Sequence, residues 1–336
     1  MNRKIFRISL MVISSIIAIS CEKKNVPTYQ EFGIKDSAIF VEKLVLDSIY
    51  LTYAQMKIDQ GLCCIADYDG KNHFHMYSFP DFNYLYSFGK KGKSNDEIIT
   101  LLNFTFRDNK VRALCGGSRK IVEYDLKTGR NSVVKMDKDV MILSMCNIDN
   151  DNYISTALYG EQRINIISEE GKITKQLVDL PQKEERISKE NSHWIGPIDV
   201  SPDGKYAVSP MQYGEIIDII NLEDFNHVRA IGPLGPPKYI HERSGGIIYH
   251  LEKNNCFEAM NLQSRIYLYF NGRDITTPEM KENCICVYDY NGSPICKHYI
   301  GEIEPSSIHI DEENGYLYCI VPEDDNMIYK YKIEIL

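Results

Sequence analysis

The sequence predicts an all-β protein, namely a six-bladed β-propeller with four-stranded blades. Three observations predict it: a strand-rich unit of about fifty residues recurs six times, polar turn motifs divide each unit, and no helical period of useful length follows residue 20. A barrel joined to a sandwich would also be all-β. That arrangement would not produce six equal units, so the propeller is favoured.

The repeat is clearest in one apolar strand of each unit, which we place second in its blade. These strands begin at residues 61, 110, 152, 205, 264 and 315, so their separations are 49, 42, 53, 59 and 51 residues. A shorter strand precedes each of them, as in 103–106 and 306–310, and a hairpin follows. Four strands at this period are typical of propeller blades.

The outer hairpin of the fifth unit shows the turn chemistry best. Residues 287–301 read VYDYNGSPICKHYIG, with Asn291 and Gly292 between two apolar runs. Asn-Gly favours a type I′ turn, in which both central residues have positive φ. We therefore expect two antiparallel strands here, packed against further strands of the same blade because a lone hairpin is only marginally stable.

The sixth unit is one strand short at the carboxyl end of the chain. Its third strand ends at Leu336, while residues 38–47 (AIFVEKLVLD) form a strand-like segment before the first unit. The simplest arrangement makes this segment the outer strand of blade six, which closes the ring and leaves only short exposed edges. The propeller is therefore predicted to span residues 38–336.

Residues 1–20 have the features of an export signal, since three basic residues precede an apolar run that is short for a membrane span. The run ends in AISC (18–21), which resembles the lipobox of bacterial lipoproteins. This resemblance implies that Cys21 becomes the acylated first residue. A secretory signal followed by a chance cysteine is the alternative. The polar residues 21–37 are interpreted as a tether.

Charge sets the expected partners. Removal of residues 1–20, which carry three basic and no acidic residues, changes the formal net charge from −9 to −12. Such a surface repels nucleic acid and anionic lipid, so we expect no nucleic-acid partner. Attachment would come from the acyl chains. We expect the outer membrane, with the periplasmic or surface face left open.

The cysteines do not suggest a disulfide framework. Of ten cysteines, nine follow Cys21, and most lie in apolar strand-like runs. Because exported proteins normally pair their cysteines, this pattern predicts buried packing thiols and a reducing habitat. Cys284 and Cys286 share a strand face, but no second pair stands at a metal-ligand spacing. No metal or cofactor is predicted.

Three segments resemble known propellers. DVSPDGKYAV (199–208) and SIHIDEENGYLYCI (307–320) look like the strand-turn-strand signatures of NHL and TolB-like propellers. FGKKGKSNDEI (88–98) is similar to a loop of TolB-like six-bladed propeller lipoproteins of the Bacteroides group. It departs from that loop at Ser94 and Asn95, where the family has Gly-Pro, and at Ile98. The resemblance covers the mature chain and implies a fold and an extracytoplasmic location rather than an activity.

Loop lengths distinguish the two faces of the predicted ring. One face, here called the turn face, receives tight turns such as SPDG (201–204) and DEENG (311–315), which we interpret as connections only. The opposite, loop face receives the long segments 89–97, 180–197, 232–246 and 271–283. Long loops on a rigid scaffold usually carry binding, so the ligand is expected at the loop face.

Aromatic and basic residues of the loop face are the expected ligand contacts. The set comprises Tyr159, His193, Trp194, Tyr213 and Arg273. Such a group around a funnel suits a peptide, a glycan or an envelope protein. Trp194, the only tryptophan, alternatively plugs the channel or packs against a neighbouring loop.

A second candidate is the positive cluster of Lys90, Lys91 and Lys93, which on an acidic protein would steer an acidic ligand. The alternative is that these lysines simply solvate a loop.

No catalytic residue is predicted. No Gly-x-Ser-x-Gly elbow, carboxylate pair or metal-ligand cluster stands out. The innermost strands offer mainly Asp199 and Asn103 to a channel metal, and His309 is expected to be a packed strand residue. The sequence therefore favours a binding or scaffolding propeller. There are two alternatives. One is a lactonase-like hydrolase or lyase with one metal in the channel, and the other is a purely structural envelope subunit.

Overall fold

The computed structural model describes residues 32–46, 55–149, 151–181, 194–236, 240–241, 247–248, 254–274, 282–322, 324 and 326–336. Within these residues the chain forms 27 strands and no helix. In this described part, accordingly, no helix has the length and apolarity needed to cross a membrane. In this part of the chain six sheets are the blades of a ring, five with four strands and one with a fifth strand added, and a two-stranded sheet accompanies them; this confirms the predicted propeller.

The strands of each blade follow one another from the innermost to the outermost position. Two strands precede the first blade, β1 (Ile34–Ser37) and β2 (Ile39–Val45). Blade 1 contains β3 (Gln55–Asp59), β4 (Leu62–Ala66), β5 (Asn72–Ser78) and β6 (Tyr84–Lys90). Blade 2 contains β7 (Thr100–Arg107), β8 (Lys110–Gly116), β9 (Lys120–Asp125) and β10 (Arg130–Lys135). Blade 3 contains β11 (Ile142–Asn147), β12 (Asn152–Ala157), β13 (Gln162–Ser168) and β14 (Ile173–Asp179).

The second half of the ring repeats this order. Blade 4 contains β15 (Asp199–Val200), β16 (Tyr206–Pro210), β17 (Ile216–Asn221) and β18 (His227–Ile231). A short pair, β19 (Ile240–His241) and β20 (Ile247–Ile248), follows. Blade 5 contains β21 (Asn254–Leu262), β22 (Ile266–Asp274), β23 (Cys284–Tyr288) and β24 (Pro294–Tyr299). Blade 6 contains β25 (Ser307–Asp311), β26 (Tyr316–Ile320), β27 (Met327–Lys332) and, at its outer edge, β2.

The predicted closure of the ring is confirmed. Strand β2 pairs antiparallel with β27, from Ile39 opposite Lys332 to Val45 opposite Met327. Leu46, just after β2, is 1% exposed and packs in the apolar cluster between blades 6 and 1. The amino-terminal strand therefore completes the last blade through both backbone hydrogen bonds and core packing.

Strand β1 adds a feature that the sequence did not predict. It runs parallel to β24 and forms a fifth strand at the outer edge of blade 5, although residues 34–37 were assigned to the tether. Phe32 anchors it, because this ring is 8% exposed and meets Tyr288 edge-on at 5.3 Å between ring centroids. The folded body thus begins before residue 38. The tether residues 21–31 lie outside the described residues.

Polar side chains join the innermost strands of successive blades. In each case a side-chain oxygen of one blade accepts a hydrogen bond from a backbone N–H of the next blade. This bond satisfies a donor that has no strand partner on that side. The bonds run from Met145 N to Asn103 Oδ1 at 3.1 Å, Ile198 N to Ser144 Oγ at 3.2 Å, Ile310 N to Asn261 Oδ1 at 2.9 Å, and Met56 N to Ser307 Oγ at 2.9 Å. These bonds fix the wall of the central channel.

The fifth-blade hairpin forms where it was predicted, but its turn differs. Only Gly292 has positive φ, at 84°, while Asn291 does not. The Asp289 carboxylate accepts the N–H groups of Asn291 and Ser293 at 2.9 and 2.8 Å, and the ladder shifts register beside it. The type I′ prediction is therefore wrong. Asp289 stabilises a right-handed turn that needs a single left-handed residue, which glycine supplies.

Candidate functional site

A funnel opens at the turn face of the propeller, around the ends of the innermost strands. Its volume is about 790 Å³, and residues from all six blades line it. The turns that line it are those expected to be connections only. The structure thus places a cavity with many charged side chains on the turn face. The long loops stand opposite it.

An ion pair across the channel forms the floor of the funnel. Lys57 lies on β3 of blade 1 and Asp199 on β15 of blade 4, which stand opposite each other in a six-membered ring, and Lys57 Nζ is 2.5 Å from Asp199 Oδ2. Burial opposes charge on Lys57, but the facing carboxylate outweighs it and raises the lysine pKa. Burial likewise opposes charge on Asp199, yet Lys57 lowers its pKa. Both groups are therefore charged near neutral pH.

Two further side chains complete this floor. Cys146 Sγ lies 3.2 Å from Asp199 Oδ1, and burial together with that carboxylate raises the pKa of the Cys146 thiol. The thiol therefore stays protonated and does not act as a nucleophile. Arg107 on β7 donates to the carbonyl oxygens of Val200 and Ser201 at 3.1 and 2.8 Å. Blades 1, 2, 3 and 4 are thus tied together at the base of the funnel.

His309 on β25 faces the same floor, as one of the residues that line the funnel. It is 7% exposed, and the ring of Phe79 meets it edge-on at 5.3 Å between centroids. Burial lowers the pKa of His309 to about 4, so the imidazole is neutral at neutral pH. The packed strand residue that the sequence predicted is what the structure shows.

Carboxylates dominate the rim of the funnel. Those in the turns and strand ends are Asp59, Asp108, Asp149, Asp203, Asp311, Glu312 and Glu313. Several of them also fix their turns: Asp149 Oδ1 accepts the N–H groups of Asp151 and Asn152 at 2.8 and 2.7 Å. Lys110 and Arg112 also line the funnel, but each is paired with Glu123. The rim therefore presents an excess of negative charge.

The candidate metal ligands of the channel are both engaged by the protein. Asp199 is held by Lys57, and Asn103 Oδ1 accepts the backbone N–H of Met145 at 3.1 Å. Among the described residues, no group of three or more His, Cys, Asp or Glu side chains is placed to hold a metal ion. The geometry thus gives a single-metal reaction no preformed ligand set within that part of the chain.

The lysine cluster lies on a loop that is well fixed by its own contacts. Lys90 Nζ is 3.2 Å from Glu97 Oε1, and Lys91 Nζ donates to the carbonyl oxygen of Tyr68 at 3.3 Å. The loop itself is held from blade 2, because Lys120 Nζ donates to the carbonyl oxygens of residues 94, 95 and 97 at 3.1, 2.6 and 2.7 Å.

Lys93 borders a second cavity of about 430 Å³ on the loop face. Its lining side chains include five cations and no carboxylate: Lys93, Arg119, Lys120, Lys135 and Lys138. Lys120 is 6% exposed and occupied by the loop carbonyls, so the other four supply the positive field. This arrangement suits a small anionic group.

The aromatic candidates of the loop face are dispersed over three blades. Trp194 is 5% exposed and packs with Leu180, Met211 and Ile216, which is the packing alternative left open by the sequence. Tyr159 is 45% exposed beyond β12, Tyr213 is half-buried between β16 and β17, and Arg273 Nη1 lies 3.6 Å from Glu304 Oε2. His193 and Cys21 lie outside the described residues.

The carbonyl of Trp194 belongs to a buried ion-pair network between blades 3 and 4. Arg163, fully buried, donates to Trp194 O at 2.5 Å and to Asp218 Oδ2 at 2.7 Å. Arg229 donates to the other Asp218 oxygen at 2.7 Å. Since both arginines share the Asp218 carboxylate, the network holds the two blades together.

Sequence reasoning missed the floor of the funnel except for Asp199 and His309. Lys57, Arg107 and Cys146 come from strands that are separated by about forty residues or more, and only the closed ring brings them together. One signal was available: Lys57 is a charged residue in the middle of the strand segment QMKID.

The comparisons with known proteins agree with the architecture. A family model described as TolB-like 6-blade propeller-like matches residues 34–313. A Bacteroides fragilis protein assigned as exported superposes with a TM-score of 0.59 at 11% identity, covering 90% of this chain and 99% of that one. Virginiamycin B lyase from Staphylococcus aureus superposes with a TM-score of 0.50 at 14% identity, covering 87% of this chain and 99% of that one. A search of curated proteins found no match. At these identities the structural likeness shows the fold alone.

Proposed function

Because the chain belongs to the TolB-like six-blade propeller family, we propose that it is an exported binding propeller, anchored through acylated Cys21, whose funnel holds a positively charged segment of a partner protein or peptide. The observation that carries this proposal is the funnel itself. It has a volume of about 790 Å³ and carboxylates on its rim from blades 1, 2, 3, 4 and 6.

The charge distribution selects the chemistry of the partner. Low-dielectric walls focus the field of like-charged rim groups, and this field attracts opposite charge and speeds association. Basic side chains of an extended segment would meet Asp108 and Glu313, which are both exposed at the rim. A glycan without charge would gain nothing from this arrangement.

The floor supports binding rather than acid-base chemistry. Lys57 and Asp199 neutralise each other, Cys146 remains a thiol, and His309 is neutral. General acid-base catalysis works best with a group whose pKa lies near the working pH. The pKa values of these floor groups are shifted away from neutral pH. The floor therefore serves as a rigid base for a bound segment.

The affinity of the funnel for a basic peptide tests the proposal. Fluorescent hexalysine should bind the mature chain, and binding should weaken with added salt. The double variant Asp108→Lys/Glu313→Lys should weaken binding about tenfold or more. The matched control Glu161→Lys/Glu169→Lys makes the same charge change at exposed sites outside the funnel and should have little effect. Equal losses in both variants, or no binding by the unmodified protein, would reject the funnel as the site.

The anchor is supported by the signal-like pattern of residues 1–21 and by the position of the first strands. Strands β1 and β2 both lie at outer edges of their sheets, so the chain enters the fold from the circumference of the ring. Mass spectrometry of the amino-terminal peptide should show a diacyl or triacyl Cys21, and Cys21→Ser should release the protein from the membrane fraction. Protease treatment of intact cells would then distinguish a periplasmic from a surface-facing outer-membrane location.

A second binding function on the loop face is favoured by the basic cavity beside Lys93. Its four available cations suit a carboxylate, sulfate or phosphate group of a ligand, as was expected for an acidic partner. NMR chemical shifts of the lysines that border the cavity would test this anion site. The shifts would be followed while sulfate competes with chloride. Lys135→Gln/Lys138→Gln should abolish the sulfate-specific shifts if the cavity binds the anion.

A further inference from the structure

Four polar side chains of blade 1 form a connected chain on the side that faces blade 6. Strands β4, β5 and β6 lie side by side there, and Ser87 stands directly opposite His75 in the β5–β6 ladder. His75 Nδ1 is 2.6 Å from Ser87 Oγ, and His75 Nε2 is 3.6 Å from Asp67 Oδ2. The hydroxyl of Tyr84 lies 2.9 Å from Ser87 Oγ.

We propose that this chain is a serine-nucleophile site for carboxylic esters. Ser87 would be the nucleophile, His75 the general base, Asp67 the residue that positions the base, and Tyr84 the donor to the developing oxyanion. The site lies in the outer part of blade 1 and does not include the residues that line the central funnel.

The hydrogen bonds of Asp67 orient its second carboxylate oxygen towards Nε2 of His75. Its Oδ1 accepts the backbone N–H groups of Asp69 and Gly70 at 2.9 and 3.0 Å, which leaves Oδ2 facing His75. A carboxylate only accepts hydrogen bonds, so the His75 proton belongs on Nε2. Nδ1 then carries the lone pair and accepts the Ser87 hydroxyl, as a general base must.

The environment of His75 keeps the base unprotonated. The side chain is 8% exposed, and burial lowers the pKa of His75 despite the opposing effect of Asp67. Asp67 itself is 5% exposed. The 3.6 Å separation between them is long for a hydrogen bond, but catalytic hydrogen bonds in a free enzyme often shorten only when substrate binds.

A bulge in β6 brings Tyr84 to the nucleophile. Tyr84 pairs with Tyr77, and Ser87 pairs with His75. Residues three positions apart normally point to opposite faces of a strand, but the extra residue of the bulge places Tyr84 and Ser87 on the same face. Tyr84 is 44% exposed and Ser87 is half-buried, so a substrate can reach both hydroxyls from solvent. The carbonyl oxygen of a substrate bound beside Ser87 would accept a hydrogen bond from the Tyr84 hydroxyl. This bond would replace the one between Tyr84 and Ser87 Oγ.

The surface beside the site suggests the class of ester. Tyr84 and Leu85 lie on the same strand face as Ser87 and are 44% and 45% exposed, whereas Tyr86 pairs with Met76 on the opposite face. An exposed apolar strip of this kind suits a hydrophobic acyl group, and its open shape suits a short one. The predicted substrates are therefore esters of short apolar carboxylic acids.

The reaction balances without a cofactor. Ser87 Oγ attacks the ester carbonyl carbon while its proton passes to His75 Nδ1, and the tetrahedral oxyanion accepts a hydrogen bond from Tyr84. Collapse of this intermediate breaks the bond to the alcohol, which leaves with the proton from His75. Water then attacks the acyl-serine in the same way, releases the carboxylic acid and returns the proton to Ser87.

A fluorophosphonate probe and p-nitrophenyl acetate test the proposal on the mature chain. The probe should label the protein, and peptide mass spectrometry should place the label on Ser87; this mapping needs no variant. Ser87→Ala should abolish labelling and hydrolysis, and Tyr84→Phe should slow hydrolysis about 100-fold. Ser132→Ala, at an exposed serine of the outer strand of blade 2, is the control and should change neither.

The outcomes separate clearly. A label on Ser87, lost in Ser87→Ala at an unchanged urea midpoint, supports the site. A label on another serine, no label on the folded protein, or hydrolysis that survives Ser87→Ala overturns it.

Discussion

The ion pair between Lys57 and Asp199 should be the strongest single link across the ring. Replacing Lys57 by Met leaves the Asp199 carboxylate near the channel axis without its partner. Loss of one partner from a fully buried pair costs about 3–5 kcal/mol. Since 26% and 20% of these side chains remain exposed, we expect the lower end, about 3 kcal/mol of unfolding free energy. For a chain of 336 residues this corresponds to a fall in Tm of about 4 °C.

Urea unfolding followed by the fluorescence of Trp194 measures this cost. Trp194 is the only tryptophan and is buried beside blade 4, so it reports the loss of the same part of the ring. Asp199→Asn should cost about as much as Lys57→Met. The double variant should cost clearly less than the sum, with a coupling of about 2 kcal/mol, because neither charge is then left without its partner.

An exposed ion pair supplies the control. Lys172 and Glu170 are paired at 2.8 Å, with side chains 57% and 66% exposed. Lys172→Met should change stability by less than about 0.5 kcal/mol. Additive losses in the double variant, or a loss for Lys57→Met no larger than that of the control, would refute the link across the channel.

Three further predictions concern stability. Because burial lowers the pKa of His309 to about 4 from 6.5, the unfolded chain binds a proton that the folded chain does not, and stability falls as pH drops from 7.5 to 5. His309→Asn should remove about 2 kcal/mol of that fall, measured by urea unfolding at both pH values; a fall of unchanged size in this variant would contradict the burial of a neutral imidazole. Leu46→Ala should cost about 3 kcal/mol if the amino-terminal strand closes the core, and its neighbour Val45→Ala, 68% exposed, less than about 0.5 kcal/mol. Gly196→Ala should cost about 3 kcal/mol by thermal unfolding, because its Cβ would lie 1.9 Å from a backbone carbonyl oxygen of β16; a loss below 1 kcal/mol would contradict that packing.

The repeat made the architecture predictable because each blade carries its own pattern of short strands and turns. The missing strand after Leu336 and the strand-like segment 38–47 together fixed the closure, since an open sheet edge has a cost that the ring removes. Phe32 and strand β1 were missed because a short polar segment ending in four exposed residues has no local signal of pairing. The turn at Asn291 was misjudged because Asp289, two residues earlier, offers its carboxylate to the backbone.

The candidate site was much less predictable. Lys57 and Asp199 are 142 residues apart, and nothing local to either residue shows that the other is its partner. Loop length directed attention to the loop face, whereas the funnel arises where the six innermost strands converge. Trp194 shows the same limit, because an aromatic residue in a long loop is as compatible with core packing as with ligand binding. Only the folded structure shows that Trp194 packs against apolar neighbours.

The site of a bound basic peptide tests the central claim most directly. Hexalysine carrying a photoreactive group at one end would be irradiated with the chain lacking residues 1–20, and the cross-linked residues identified by mass spectrometry. The account predicts cross-links in the short turns around the funnel, at residues 59–61, 107–110, 201–204 and 311–313. Cross-links confined to the loop face or to the outer strands would contradict it.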